Sequence, residues 1–122
     1  MEAPFFERTP SERVRVAATW IAANCERHIT TAQAASVALM SERNLLRHFV
    51  RIFGMSPIDY ITTTRLTRAR HLLTSTELSI KAVARHSGFG SGEHLSRTFR
   101  RMLGQSPSEY RRTGTEKSDE TC

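Results

Sequence analysis

Apolar residues recur along this chain at steps of three and four, the repeat of an α-helix with one buried face. Val14, Ala17, Ala18, Ile21 and Ala22 mark a first helix, with Trp20 beside them. It opens at "TPSERV", where Thr9 or Ser11 can cap and Glu12 suits the first turn, and it closes in "ANCERHIT". The alanine-rich stretch "TTAQAASVALM" predicts a short second helix starting at Thr30 or Thr31. A third, "SERNLLRHFVRIFG", is capped by Ser41 and stopped by Gly54. A longer helix follows the cap Ser56, with Pro57 at its first position and a stripe of Ile58, Ile61, Leu66, Ala69, Leu72 and Leu73. Then "ELSIKAVARHSG" ends at Gly88, "SGEHLSRTFRRMLG" ends at Gly104, and "SPSEYRR" supplies a last turn or two. No segment alternates with the two-residue period of a strand. The fold class is therefore all-α, with about seven helices.

The chain also resembles itself. Residues 32–61 laid on 82–111, a shift of 50, match at eleven of thirty positions: Ala32/Ala82, Ala34/Ala84, Ser41/Ser91, Leu45/Leu95, Arg47/Arg97, Phe49/Phe99, Arg51/Arg101, Gly54/Gly104, Ser56/Ser106, Pro57/Pro107 and Tyr60/Tyr110. Two copies make a duplication, not a solenoid. Each copy is a short helix, a tight joint and a longer capped helix, which is the helix-turn-helix plan. The units fall at about 30–53 and 79–103, with a linking helix at about 57–74. Residues 11–112 form the domain, 1–10 read as an N-terminal linker, and 113–122 as a disordered tail.

The joint "GFGSG" has glycines in the spacing of a phosphate-cradling loop. Such a loop follows a strand and opens a helix. Here Gly88 follows a helix, and the matching joint "ALMS" holds no glycine. Gly88 is better read as a left-handed helix end. Phe89, paired with Leu39 in the first copy, then plugs the angle between two helices.

On a wheel of 100° per residue, Leu45, Phe49 and Ile52 share the core side of the third helix, as Leu95, Phe99 and Met102 do in the sixth. Arg43, Arg47 and Val50 fall opposite, bordered by Leu46 on one flank and by Asn44 and Arg51 on the other. In the second copy Glu93, Arg97 and Arg100 point outward, flanked by Ser96, His94 and Arg101. Charge follows the same division. Residues 1–39 carry four basic and four acidic side chains, and the tail 113–122 carries a net −2. Residues 40–112 carry 13 basic and 5 acidic side chains, a net +8, which suits a polyanionic partner. Arginine pairs bidentately with guanine or phosphate. Two copies of an arginine-bearing second helix point to duplex DNA.

Other chemistries lack their residues. His28, His48, His71, His86 and His94 form no i, i+4 pair with a carboxylate set nearby, so neither a metal nor another cofactor is expected. No Ser/His/Asp constellation stands out, so the chain reads as a non-enzyme. Cys25 and Cys122 lie far apart in sequence and build no disulfide framework, in keeping with a reducing, cytoplasmic setting. No apolar run approaches the roughly 18 residues of a membrane span, and "MEAPFFERTPSER" is neither a signal nor a transit peptide.

The paired helix-turn-helices, with "RLTRARHLLTSTELSIKAVARHSGFGS" and "FRRMLGQSPSEYRR", resemble the DNA-binding domain of the AraC/XylS family of bacterial transcription regulators. The likeness covers about residues 12–112. "SERNLLRHF" and "GFGSGEHLSRTFRR" are most similar to the branch whose members carry an N-terminal domain of DJ-1/PfpI type. The resemblance implies two subdomains joined by a long helix, with each recognition helix in one of two adjacent major grooves. It implies base reading by Arg43, Leu46, Arg47, Gly92, Glu93, Ser96 and Arg97. Asn44, Arg51, His94, Arg100 and Arg101 are expected at the DNA backbone. Two positions depart from a hydrogen-bonding pattern. Leu46 can only touch something apolar, such as a thymine methyl, and Gly92 has no side chain to read with.

The resemblance further implies a monomeric domain, work on the nucleoid as an activator, and RNA polymerase as a partner. A sensing domain that could dimerise a full-length regulator is missing, so the chain reads either as an excised C-terminal domain, with "MEAPFFERTP" as the linker from such a domain, or as a free-standing short member. The linking helix of 18 residues would be about 27 Å long, against about 34 Å between successive major-groove entries, so a modest DNA bend is expected, the alternative being that one unit reads bases while the other rests on the backbone. From the residues alone, a helical protein-interaction module without DNA affinity, for example one binding an RNA polymerase subunit, stays open as the alternative.

Overall fold

The computed structural model describes residues 8–120, with side chains through residue 114. Among the described residues seven helices follow in order: α1 (Pro10–Asn24), α2 (Thr31–Val37), α3 (Glu42–Phe53), α4 (Pro57–Ser75), α5 (Ile80–Ser87), α6 (Gly92–Leu103) and α7 (Pro107–Glu120). No strand occurs among the described residues. The chain divides into two compact units, residues 1–64 and 65–122.

Side-chain caps set the starts. Thr9 accepts from the Glu12 amide, Ser41 from Asn44, Ser56 from Asp59, Ser79 from Ala82, Ser91 from His94 and Ser106 from Glu109, all at 3.1–3.2 Å. At α2, Thr30 accepts from the Gln33 amide while the Gln33 side chain accepts from the Thr30 amide, a reciprocal capping box. Each such cap is worth about 1 kcal/mol. Gly54 and Gly104 close α3 and α6 at φ 73° and 76°, a left-handed end that glycine adopts without strain.

In the first unit, α1 lays Val14, Ala17, Ala18 and Ile21 against Ala34 and Ala35 of α2, Leu45 and Phe49 of α3, and Ile61. In the second, Leu66, Ala69 and Leu73 of α4 meet Val83 and Ala84 of α5, Leu95 and Phe99 of α6, and Phe89. The duplication thus extends beyond residues 32–61. Val14, Ala17 and Ile21 match Leu66, Ala69 and Leu73 at a shift of 52. The third and sixth helices match at 50, residue for residue.

The short helices correspond at 49, not 50. Thr30 and Ser79 are the caps, and the buried pairs are Ala34–Ala35 and Val83–Ala84. The chain then turns back through Met40 N–H to Ala35 O at 3.0 Å and Phe89 N–H to Ala84 O at 2.9 Å. The left-handed residues are therefore Leu39 (φ 57°) and Gly88 (φ 92°), and the second turn holds one extra residue, Gly90 (φ 80°). This corrects the pairing of Leu39 with Phe89. Met40, half-buried against the first core, takes the plug position, while Leu39 is 52% exposed.

Three stripe assignments also change. Ile58 is exposed, because Pro57 and Ile61 carry the burial at the start of α4. Met102 is 49% exposed, at the last turn of α6 where the stripe runs past what covers it. Ala22 is exposed, and the chain after Ile21 instead buries Cys25 and Ile29. Helix α7 continues through Glu120, so residues 113–120, expected as a disordered tail, are helical. Thr113 Oγ1 donates back to Glu109 O at 2.9 Å, and Gly114 lies so near α4 that a Cβ there would stand 2.7 Å from Thr74 Cγ2. Residues 1–7 of the expected linker, and Thr121 and Cys122, lie outside the described residues.

Candidate nucleic-acid interface

The frame holding each second helix is built twice. Phe49 meets Tyr60 edge-on at 5.2 Å and 72°, and Phe99 meets Tyr110 at 5.3 Å and 68°. Such pairs contribute about 0.5–1.5 kcal/mol beyond their buried area. Pro57 and Pro107 are both fully buried. Leu45 and Phe49 in one unit, and Leu95 and Phe99 in the other, turn the same face of their helix inward. The opposite face is left to solvent in both.

On α3, Arg43, Asn44, Leu46, Arg47, Val50 and Arg51 are all exposed. Arg47 Nη2 donates to Asn44 Oδ1 at 3.3 Å, which biases that guanidinium along the helix. Leu46 and Val50, each 46% exposed, lie one turn apart on one side of Arg47. On α6, Glu93, Arg97, Arg100 and Arg101 are exposed, and Gly92 and Ser96 are half-buried. Gly92, Glu93, Ser96, Arg97 and Arg100 line one shallow depression together with Ile80 and Lys81 of α5. A Cβ on Gly92 would make ordinary contact with Lys81 Cα at 3.8 Å, so glycine there is compatible with space for a larger residue.

His94 departs from its partners. Its Nδ1 lies 3.0 Å from Phe89 O and its ring meets Phe89 edge-on at 5.5 Å. The carbonyl can only accept, so Nδ1 carries the proton and Nε2 is the atom left for a ligand. His94 therefore ties the turn to α6 as well as standing at its surface.

The structure adds two residues that sequence reasoning passed over. Lys81, an isolated lysine in sequence, borders the same depression as Arg97 and Arg100. Arg13 reaches from α1 to the first turn, where Nη1 donates to Leu39 O at 3.3 Å while its buried Nε has no hydrogen-bond partner. Only the fold brings either residue to its place. Among the described residues no group of three or more His, Cys, Asp or Glu could hold a metal ion.

The helix-turn-helix frame is shared with known proteins. A family profile described as "Helix-turn-helix domain" matches residues 34–113, about two thirds of the chain. The chain belongs to the AraC-type helix-turn-helix family. It is 35% identical over 92 residues to the HTH-type transcriptional activator RhaS of Enterobacter sp. (strain 638), covering 75% of this chain and 33% of that protein. It is 37% identical over 89 residues to the HTH-type transcriptional regulator ArgR of Pseudomonas aeruginosa, covering 73% and 27% respectively. The chain thus spans about a third of the length of the curated relatives it matches. Among solved structures, the DNA-binding domain of AdpA, crystallised with a target DNA, superposes with a TM-score of 0.79 at 31% identity, covering 83% of this chain and 91% of that one. An AraC-type regulator from Chromobacterium violaceum gives 0.76 at 35% identity, covering 82% and 89%. AraC-type domains belong to DNA-binding regulators, not enzymes.

Proposed function

We propose that this AraC-type chain is the DNA-binding part of a bacterial transcription regulator, and that α3 and α6 each read bases in a major groove of duplex DNA. The carrying observation is the pair of exposed faces centred on Arg47 and Arg97, at one offset in two frames of the same build. The AdpA domain, similar over most of this chain, was crystallised with target DNA, which supports the reading. Arg43, Leu46 and Arg47 read bases from α3, and Glu93, Ser96 and Arg97 read them from α6. Gly92 lets the DNA approach closely. Asn44, Arg51, His94, Arg100 and Arg101 act at the sugar-phosphate backbone, joined by Lys81. These contacts position the domain without carrying sequence information.

The wider setting follows the relatives. RhaS is an activator, so contact with RNA polymerase at a promoter fits, as does work in the cytoplasm on nucleoid DNA. No helix among the described residues is long and apolar enough to cross a membrane. The domain acts as a monomer, and dimerisation belongs to further chain of the kind its longer relatives have.

Titration against random-sequence duplex DNA at two salt concentrations tests the core of this reading. Neutralised phosphates release counterions, so log K should fall linearly with log salt, by about 0.9 per phosphate contacted. Binding that ignores salt, or no binding at all, overturns it in favour of a protein-interaction module. Footprinting with a bending assay on a selected site then tests whether two grooves are occupied and whether the DNA bends.

A further inference from the structure

We infer that α3 selects thymines through an apolar pair, Leu46 and Val50, and that Val50 is a specificity-determining residue of the first half-site. The inference rests on the DNA-binding reading above. Leu46 and Val50 are each 46% exposed, although Leu45 and Phe49 beside them are fully buried. They take no part in either core. Spaced four residues apart on a helix, they share one face. Arg47 stands between them in sequence and is biased along that helix by Asn44. The apolar pair is therefore continuous with the face that meets DNA.

The major groove offers one apolar group on its base edges, the thymine 5-methyl. The other major-groove edge groups are hydrogen-bond donors or acceptors, apart from the small C5–H of cytosine, which offers no methyl to contact. Pressed against a donor or acceptor, Leu46 and Val50 would strip its water and return no hydrogen bond, which is unfavourable. The pair thus attracts thymine and rejects the alternatives at the same positions. In the second unit the matching residues are Ser96 and Arg100, which hydrogen-bond and carry charge, so α6 lacks this preference.

The test starts from a site selected by the full 122-residue chain from a random duplex pool. Arg47→Ala and Arg97→Ala assign its halves by which half loses base preference. Thymines in one half at a time are then replaced by deoxyuridine, which pairs identically but lacks the methyl. In the α3 half, binding should weaken about fourfold per contacted methyl. Leu46→Ser and Val50→Ser should weaken binding to the thymine site similarly and remove the response to deoxyuridine. Both positions are exposed, so folding is expected to survive, and circular dichroism checks it. In the α6 half the replacement should change little. A selected α3 half without thymine, an equal response in both halves, or a response untouched by both substitutions would overturn the inference alone. A pool that yields no enriched site overturns the DNA-binding reading beneath it.

Discussion

The two halves of this molecule share a skeleton and differ in what they show to the outside. Helices α3 and α6 begin after a serine cap, end at a left-handed glycine and bury the same Leu and Phe. Outward, α3 presents Arg43, Leu46, Arg47 and Val50, where α6 presents Glu93, Ser96, Arg97 and Arg100. One face mixes charge with apolar surface. The other is polar throughout, with Lys81 beside it. The turns differ as well. The first stores strain at Leu39, whose φ of 57° costs an L-residue roughly 1–2 kcal/mol, and the second uses glycine at the same place. A shared interior therefore does not imply a shared target, and the halves are expected to read different sequences by different physics.

The largest effect would show whether the interiors are truly equivalent. Phe49→Ala and Phe99→Ala each remove a fully buried ring that meets a tyrosine edge-on. Each should cost about 3–5 kcal/mol by urea denaturation. A loss below 1 kcal/mol in one of them would mean that the two frames are not equally packed. Next come the faces. Arg47→Ala and Arg97→Ala should each lower discrimination by about 1–3 kcal/mol, confined to one half-site. Competition with single-base variants measures this, and uniform weakening on every sequence would move that arginine to the phosphates.

The turns give a smaller contrast with opposite signs. Gly88→Ala should destabilise by about 1 kcal/mol, because it forces a Cβ into the left-handed region. Leu39→Gly should stabilise by roughly 0.5 kcal/mol, the relief of strain slightly exceeding the added chain entropy. A lower melting temperature for Leu39→Gly would show that the leucine makes contacts outweighing its strain. The finest measurement is the salt slope. Arg100→Ala should reduce it by about 1, while Val50→Ala at the matching position should leave it unchanged. Equal slopes would mean that the halves do not divide charge from apolar contact.

Much of this frame was legible before any coordinates. Period and caps locate all seven helices, because Ser and Thr starts and Gly ends have local causes. Exposure of Arg47 and Arg97 follows from the wheel once Leu45 and Leu95 are taken as core. What sequence comparison could not show is the changing register of the repeat. Identities at Ala32/Ala82 and Ala34/Ala84 favour a shift of 50 for the short helices, while burial and turn bonds set it at 49. Alanine is too common in helices for two matches to outweigh an extra Gly90. The first helix escapes notice as a repeat for a similar reason: its shift of 52, against 49 for the short helices, reflects three additional residues between Ile21 and the cap of α2. Ile58 and Met102 were misplaced because periodicity gives the direction of a side chain, not whether anything lies there. Lys81 and Arg13 carry no local signal at all, and the recognition residues come from the family likeness.

The residue-for-residue match of α3 and α6 has one more consequence. Positions that hold the helix in place and positions that face outward do not overlap: Leu45, Phe49 and Gly54 belong to the first set, and Leu46, Arg47 and Val50 to the second. Each helix is thus a standard socket with an interchangeable face. Variation can rewrite what is read without disturbing what is folded, and transplanting Ser96 and Arg100 onto positions 46 and 50 should move a binding preference from one half to the other while leaving the scaffold untouched.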